Sequence, residues 1–127
     1  PEWLRGCQLR PCSFEPTFHK FHGKLCAGFQ VHVDSAFYDH NQFQPFRLVA
    51  LFLKALHEEH PHFDLWRKPP YEYEENLRPF DILSGSEELR HWIENRSATP
   101  DDLESLLQAD ESSWESERQP HLLYPDS

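Results

Sequence analysis

The alternation of apolar and polar positions is most regular in the stretch 26–60. Across residues 29–34 apolar and polar side chains alternate, which is typical of a half-buried strand. Across residues 45–60 apolar side chains recur at helical spacing, and Pro61 cannot continue a helix. We therefore predict a strand with one packed face, then a central helix whose polar strip is limited to Arg47, Lys54 and Glu58.

Shorter patterns predict the other strands. Residues 6–13 indicate a strand with Cys7 and Leu9 facing inward. The compact run Phe-Asp-Ile-Leu at 80–83 is read as a further strand, and the apolar tail 120–124 as a last one. With the central strand, these make about four strands.

Two start signals predict shorter helices. Ser84 with Glu87 fits a capping box, and Thr99 is followed by Pro100 and two acids. The predicted fold is therefore α/β (α+β), with a small mixed sheet of about four strands packed against the central helix and two shorter helices. We predict a single domain over residues 1–127.

The charge balance excludes one class of partner. The chain carries 12 Lys and Arg against 22 Asp and Glu, a net charge of -10 at pH 7. Because phosphate backbones bind basic surfaces, we predict no nucleic-acid partner. The acids are concentrated after residue 86, whereas the residues before Leu25 are basic on balance. An anionic ligand is therefore expected on the amino-terminal side.

Length and hydropathy limit the remaining choices. No apolar run reaches the roughly 18 residues that a membrane-spanning helix requires, so we predict no membrane span in this segment. The chain starts at Pro1 and contains no Met, so we expect the natural protein to extend upstream. Its three cysteines lack Cys-x-x-Cys spacing and leave the redox compartment open.

Common metal, cofactor and nucleophile motifs are absent from the sequence. His57 and His60 lack the metalloprotease spacing, because the fourth position after His57 is Pro61. There is no phosphate loop, dinucleotide fingerprint or nucleophile elbow. Asp81, flanked by apolar residues, is interpreted as a structural hydrogen-bonding group in preference to a catalytic carboxylate. We predict neither metal nor cofactor.

One group of polar residues is a candidate site. Gln30, His32 and Asp34 share the polar side of the predicted strand. The preceding loop carries His19 and Lys20 among aromatic residues, and ordered loops on a rigid scaffold often carry binding residues. Plain solvent exposure of these side chains is the alternative.

Many short motifs together resemble a known family. They are Leu4-x-Gly-Cys-x-Leu-Arg-Pro-x-x-Phe-x-Pro-Thr-Phe-His-Lys-Phe-x-Gly, Cys26-x-Gly-x-Gln-x-His-Val, Phe43-x-Pro, Pro69-Pro-Tyr-Glu-Tyr-Glu, Phe80-Asp-Ile-Leu-x-Gly and Leu122-Leu-Tyr. In this order they are similar to the carboxy-terminal domain of the bacterial NamZ-type exo-β-N-acetylmuramidases. The chain departs from the family pattern at Arg5-Gly-Cys and at Ala27.

The resemblance implies a role in peptidoglycan hydrolysis. Members of the family are glycoside hydrolases that release N-acetylmuramic acid from non-reducing ends of peptidoglycan fragments. They join a Rossmann-like amino-terminal domain, which carries the catalytic glutamate, to a smaller auxiliary domain like this one, with the cleft between the two. We therefore expect a partner domain in the same protein, a location in the cell envelope or outside the cell, and no activity for this chain alone.

The chemistry of muramic acid suggests individual roles. Its carboxylate calls for a cation, its acetamido group for hydrogen-bonding partners and its ring for an aromatic face. The predicted binding residues are Phe18, His19, Lys20, Gln30 and His32, with Lys20 on the carboxylate and Phe18 on the ring. His32 is in addition a weak acid–base candidate, because its unperturbed pKa lies near neutrality. The alternative is a purely structural or interaction domain that makes no contact with substrate.

Overall fold

The computed structural model describes residues 2–34 and 36–124. Over those residues the chain forms four α-helices and one two-stranded antiparallel sheet. The predicted α+β class is confirmed, but the sheet has fewer strands than predicted. The chain is divided into two compact units, a first unit, Pro1–Val49, and a second unit, Ala50–Ser127.

The first unit is built on a β-hairpin. Strand β1 (Gln8–Phe14) pairs with strand β2 (Cys26–His32), and residues 15–25 connect them. Strand β1 lies within two residues of its predicted position, and β2 begins three residues before the alternating stretch 29–34 and ends two residues before its end. A short 3-10 helix, Glu2–Leu4, precedes the hairpin and buries Trp3.

In this unit Gly6 allows its backbone to lie close to the backbone of residues 39–43. Gly6 has φ +75°, and its carbonyl accepts a hydrogen bond from the Asp39 amide at 3.2 Å. A Cβ at this position would lie 2.6 Å from the Asp39 carbonyl oxygen and 2.6 Å from the Phe43 amide nitrogen. Only glycine satisfies both the backbone angle and the close approach.

The apolar face of the hairpin is exposed. Phe29, Val31 and Val33 alternate as predicted, but Phe29 is 58% exposed and the other two are also exposed. The prediction that this face is packed is therefore wrong for the structure described. A period of two specifies which residues share a face, whereas burial of that face requires another layer.

Helix α1 (Pro45–Glu59) ends within one residue of the predicted helix. Its predicted polar strip is wrong for Arg47 and Lys54, which are both buried, whereas Glu58 is exposed as predicted. Lys54 Nζ donates to the carbonyls of Trp92 at 3.1 Å and Asn95 at 2.7 Å. Satisfied hydrogen bonds allow a long cationic side chain to be buried on a face that the sequence pattern marks as solvent-exposed.

The remaining helices all lie in the second unit. They are α2 (Pro79–Ser84), α3 (Glu88–Glu94) and α4 (Pro100–Arg118), followed by a short 3-10 helix, Gln119–His121. The strands predicted at 80–83 and 120–124 are therefore wrong, since residues 80–83 lie within α2 and no strand is assigned from 120 to 124. No helix in the described ranges 2–34 and 36–124 is long and apolar enough to cross a bilayer.

Helix α2 has a start signal and a stop signal in its sequence, although its short apolar run led to the prediction of a strand. Pro79 occupies the first turn, and Gly85 ends the helix with φ +88°. Ser84 is the last residue of α2, where its hydroxyl donates to the Phe80 carbonyl at 2.9 Å. The predicted capping role of Ser84 for the next helix is therefore wrong, and Glu87 is the N-cap of α3.

The start of α4 agrees with the sequence prediction. Thr99 is the N-cap, Pro100 is in the first turn, and the Asp102 carboxylate accepts hydrogen bonds from both the Thr99 amide and the Thr99 hydroxyl, at 2.7 and 2.8 Å. These bonds lower the pKa of Asp102, the amide contributing most. With 19 residues, α4 is longer than the short helix predicted here.

Candidate functional site

Strand register brings four polar side chains to one face of the hairpin. Gln8 lies opposite His32, and Arg10 lies opposite Gln30. Opposed residues in an antiparallel pair project to the same side of the sheet. We call these four residues the polar face.

Two of the predicted site residues are in contact on this face. His32 Nε2 lies 3.1 Å from Gln30 Oε1, and His32 Nδ1 lies 3.7 Å from Asp34 Oδ1. The His32 side chain is only 20% exposed, while Gln30 is exposed. The imidazole therefore holds the Gln30 amide oxygen, which leaves the amide hydrogens as donors to a ligand.

Arg10 is a residue of the polar face that reasoning from sequence missed as a candidate. Its strand was predicted, but its neighbour across the sheet depends on a register that spacing alone does not give. Arg10 is exposed, and the described part of the chain offers it no hydrogen bond or ion pair. A guanidinium beside an amide donor is suited to binding a carboxylate.

The next residue pairs toward the hairpin loop place an aromatic ring beside a glycine. Cys12 lies opposite Gly28, and Phe14 lies opposite Cys26. A Cβ on Gly28 would lie 3.1 Å from the Phe14 ring, so the ring leans over the glycine. Phe14 stays 50% exposed. The face thus presents polar groups at one end and an aromatic ring at the other, a combination that suits a sugar ring.

The other predicted site residues lie in the hairpin loop. Phe18 and His19 form an edge-on ring pair with centroids 5.1 Å apart, and Phe18 is 70% exposed. His19 has φ +59°, and a hydrogen bond from the Gly23 amide to the Pro16 carbonyl, 3.1 Å long, closes the loop. Lys20 is exposed at its tip and, within residues 2–34 and 36–124, has no ion-pair or hydrogen-bond partner.

The predicted residues therefore form two groups. Gln30 and His32 are together on the sheet, and Phe18 and His19 are together in the loop. The loop rejoins the sheet at Cys26, four residues from Gln30, which corresponds to about 13 Å of extended strand. Among the residues described, no hydrogen bond or ion pair joins Lys20 to the polar face.

Other candidate sites are weaker. Among the described residues, no cluster of three or more His, Cys, Asp or Glu has the arrangement to hold a metal ion. An open groove of about 470 Å³ lies between α3 and α4. Its polar groups are occupied, since Trp92 Nε1 donates to the Thr99 carbonyl at 2.7 Å and Asp102 binds Thr99. The groove is therefore explained by helix packing.

Comparison with known proteins covers nearly the whole chain. The profile of a family described as "Exo-beta-N-acetylmuramidase NamZ, C-terminal" matches residues 1–124. The peptidoglycan beta-N-acetylmuramidase NamZ of Bacillus subtilis (strain 168) is 27% identical over 124 residues, which are 95% of this chain and 26% of that protein. The chain thus spans about a quarter of this relative's length. No solved structure matches the chain.

The match extends over both units, from the hairpin to the end of the described tail. It includes the polar face, the hairpin loop and all four helices. The resemblance expected from the motifs is confirmed: the chain belongs to the family of carboxy-terminal domains of the exo-β-N-acetylmuramidase NamZ.

Proposed function

We propose that this chain lines the saccharide-binding cleft of a larger exo-acting β-N-acetylmuramidase. The catalytic carboxylate would belong to a Rossmann-like amino-terminal domain of the same protein, which is also the partner of this domain. The main support is the Gln30–His32 pair on an exposed strand face, at 3.1 Å. An oriented amide with free donors is a typical way to bind a sugar hydroxyl or acetamido group.

The hairpin loop supplies the remaining groups in this proposal. Phe18 stacks on a sugar ring, His19 supports that ring edge-on, and Lys20 is a cation at the rim. The edge-on contact of Phe18 with His19 and the exposure of both residues support this role. Phe14, which leans over Gly28, is a second aromatic surface on the strand itself.

His32 is proposed as a binding residue in preference to a catalytic one. One ring nitrogen is held by Gln30, and the other faces Asp34 at 3.7 Å. A general acid or base must reach a reacting oxygen directly or through one water. The observed hydrogen bond of His32 therefore orients the side chain of Gln30, which is a role in binding.

The experiment compares binding with a purely structural role. In the full-length protein, Gln30→Ala should lower kcat/KM for the release of N-acetylmuramic acid about 3- to 10-fold, the effect of one lost hydrogen bond. The thermal unfolding midpoint should not change, because Gln30 is exposed. Gln108→Ala, an exposed glutamine of α4, is the matched control and should change neither quantity.

The alternative function predicts the reverse pattern. If the polar face only packs against a neighbouring domain, Gln30→Ala lowers the thermal unfolding midpoint and leaves kcat/KM of the folded protein unchanged.

A peptidoglycan substrate also implies that the protein acts in the cell envelope or outside the cell. Fractionation of cells that produce the full-length protein tests that location.

A further inference from the structure

We infer that Arg10 is the residue that recognises the carboxylate of the saccharide, acting together with the amide of Gln30. This rests on the proposed function, because it assigns one ligand group to the same face. It differs from the prediction made from sequence, in which Lys20 meets the carboxylate.

The first argument is position. Arg10 lies directly opposite Gln30 in the hairpin, and such pairs have Cβ atoms about 4.5–5.5 Å apart. Both side chains are exposed on the same side of the sheet. Their donor groups can therefore approach one ligand together without rearrangement of the backbone.

The second argument is the distribution of donors. The Gln30 amide oxygen is held by His32 Nε2 at 3.1 Å, so its two amide hydrogens are directed elsewhere. Arg10 adds a planar fork of N–H groups that matches the two oxygens of a carboxylate. Arg10 and Gln30 thus offer several donors at this point, which suits an anion.

The third argument is charge. Two other arginines of the chain are paired with carboxylates: Arg5 lies 3.7 Å from Glu2, and Arg118 lies 2.7 Å from Glu115. Arg10 has no such partner among the residues described. Asp34, the acid beside the polar face, is directed at His32. The Arg10 guanidinium is consequently available to an external carboxylate.

The fourth argument compares Arg10 with Lys20. Lys20 lies in the loop, and the strand from Cys26 to Gln30 alone spans about 13 Å. An ammonium group is also a point charge with no preference for a two-oxygen ligand. Arg10 therefore satisfies both the distance and the geometry that the carboxylate requires.

The test measures binding to the full-length protein by calorimetry. The two ligands are N-acetylmuramic acid and its analogue in which the carboxylate is converted to a primary amide. Arg10→Ala should weaken binding of the acid about 10- to 100-fold and that of the amide no more than about 2-fold, because only a charge-assisted pair is lost. Arg10→Lys should recover part of the loss, since the charge returns without the fork.

Two further variants complete the design. Lys20→Ala should weaken binding of the acid less than Arg10→Ala does, because the charge of an exposed lysine is screened by solvent. Arg96→Ala removes an exposed arginine of the second unit and serves as the charge-matched control. The thermal unfolding midpoint of each variant is measured alongside.

The inference is overturned if Arg10→Ala weakens both ligands equally, or if Lys20→Ala alone shows the loss selective for the acid. It is also overturned if only the unfolding midpoint changes. Failure of the proposed function has a different signature, in which Gln30→Ala and Arg10→Ala both leave the affinity for either ligand unchanged. If Gln30→Ala weakens both ligands while Arg10→Ala has no selective effect, only the role of Arg10 is lost.

Discussion

The two units use their charged side chains differently. The first unit has five Lys and Arg against four Asp and Glu, whereas the second has seven against eighteen. In the second unit, buried cations are tied to fixed partners within the fold. On the hairpin of the first unit, Arg10 and Lys20 are exposed and have no partner in the described part of the chain. Paired charges link the helices of the second unit, whereas the binding role that we propose falls on exposed charges of the hairpin.

The second unit contains a buried ion pair. Arg90 Nε donates to both carboxylate oxygens of Asp81, at 2.8 and 3.1 Å, and both residues are buried. The guanidinium also reaches Glu94 at 3.3 Å, and Glu94 accepts a hydrogen bond from Trp66 Nε1 at 2.8 Å. The hydrogen bond to Asp81 is the main reason that the pKa of Arg90 is raised. Asp81 thus has the structural role predicted from sequence.

Lys54 has a comparable role at the end of α3. Its ammonium donates to the carbonyls of Trp92 and Asn95, where the helix dipole is negative and backbone carbonyls lack intrahelical partners. It also lies 4.8 Å from the centre of the Trp92 ring and 3.5 Å from Glu58. One buried lysine therefore links α1 to α3 within the second unit.

The largest expected effect comes from breaking the buried ion pair. Asp81→Ala should lower the free energy of unfolding by about 3–5 kcal/mol, because it leaves the Arg90 guanidinium buried without its main partner. Denaturant unfolding of the protein measures the change. Asp110→Ala, an exposed acid of α4, is the control and should stay within about 0.5 kcal/mol.

Equal effects at Asp81 and Asp110 would contradict the contrast between paired and unpaired charges. Arg10→Ala tests the same contrast at an exposed charge that is not paired within the described residues. It should cost less than about 0.5 kcal/mol of stability, because Arg10 is exposed. A loss of stability as large as that of Asp81→Ala would mean that the polar face stabilises the fold.

An intermediate effect is expected in the first unit. Gly23→Ala should cost about 1–2 kcal/mol for the backbone angle alone, since φ is +69° and no atom lies within 4 Å of a new Cβ. Gly6→Ala should cost more, because the new Cβ would also meet two backbone atoms at 2.6 Å. Denaturant unfolding compares the two variants, and equal losses would show that the close contact of Gly6 relaxes freely.

The smallest effect concerns the N-terminal cap of α4. The folded pKa of Asp102 is lowered below its ordinary 3.8, so its carboxylate stabilises the fold above that pH. This stabilisation is lost as the pH falls through the folded pKa. Asp102→Asn should therefore lower the unfolding midpoint near pH 6, and its difference from the unchanged protein should shrink below about pH 3.8.

A neighbouring acid provides the control for this pH dependence. Asp101 lies in the same first turn, but no hydrogen bond to its carboxylate is found among the described residues. Asp101→Asn loses the same favourable interaction with the helix dipole without losing bonds to Thr99. A pH dependence of the same size in both variants would show that the dipole, and not the cap, stabilises the Asp102 carboxylate.

Local signals in the sequence predicted a substantial part of this fold. The bounds of α1 followed from Pro45, the helical period and Pro61, and the start of α4 followed from Thr99 and Pro100. The same kind of signal was available for α2 in Pro79 and Gly85, but a four-residue apolar run was read as a strand. Periodicity alone does not distinguish such a run from a helical turn.

The candidate site was only partly accessible from the sequence. Gln30 and His32 were recognised because residues two apart on a strand share a face. Arg10 and Phe14 were missed because their neighbours, Gln30 and Gly28, are 20 and 14 positions away along the chain. Knowledge of which residues are paired across the two strands would have identified both Arg10 and Phe14.

The sequence by itself therefore determined the family, the α+β class, the central helix and the cap of α4. These depend on hydrophobic periodicity, helix capping and the order of motifs, all of which can be read along the sequence without knowledge of tertiary contacts. Tertiary structure alone decided that Lys54 is buried and that Arg10 lies beside Gln30. Burial and register are set by contacts between distant segments, so the free energy that fixes them is absent from any local pattern.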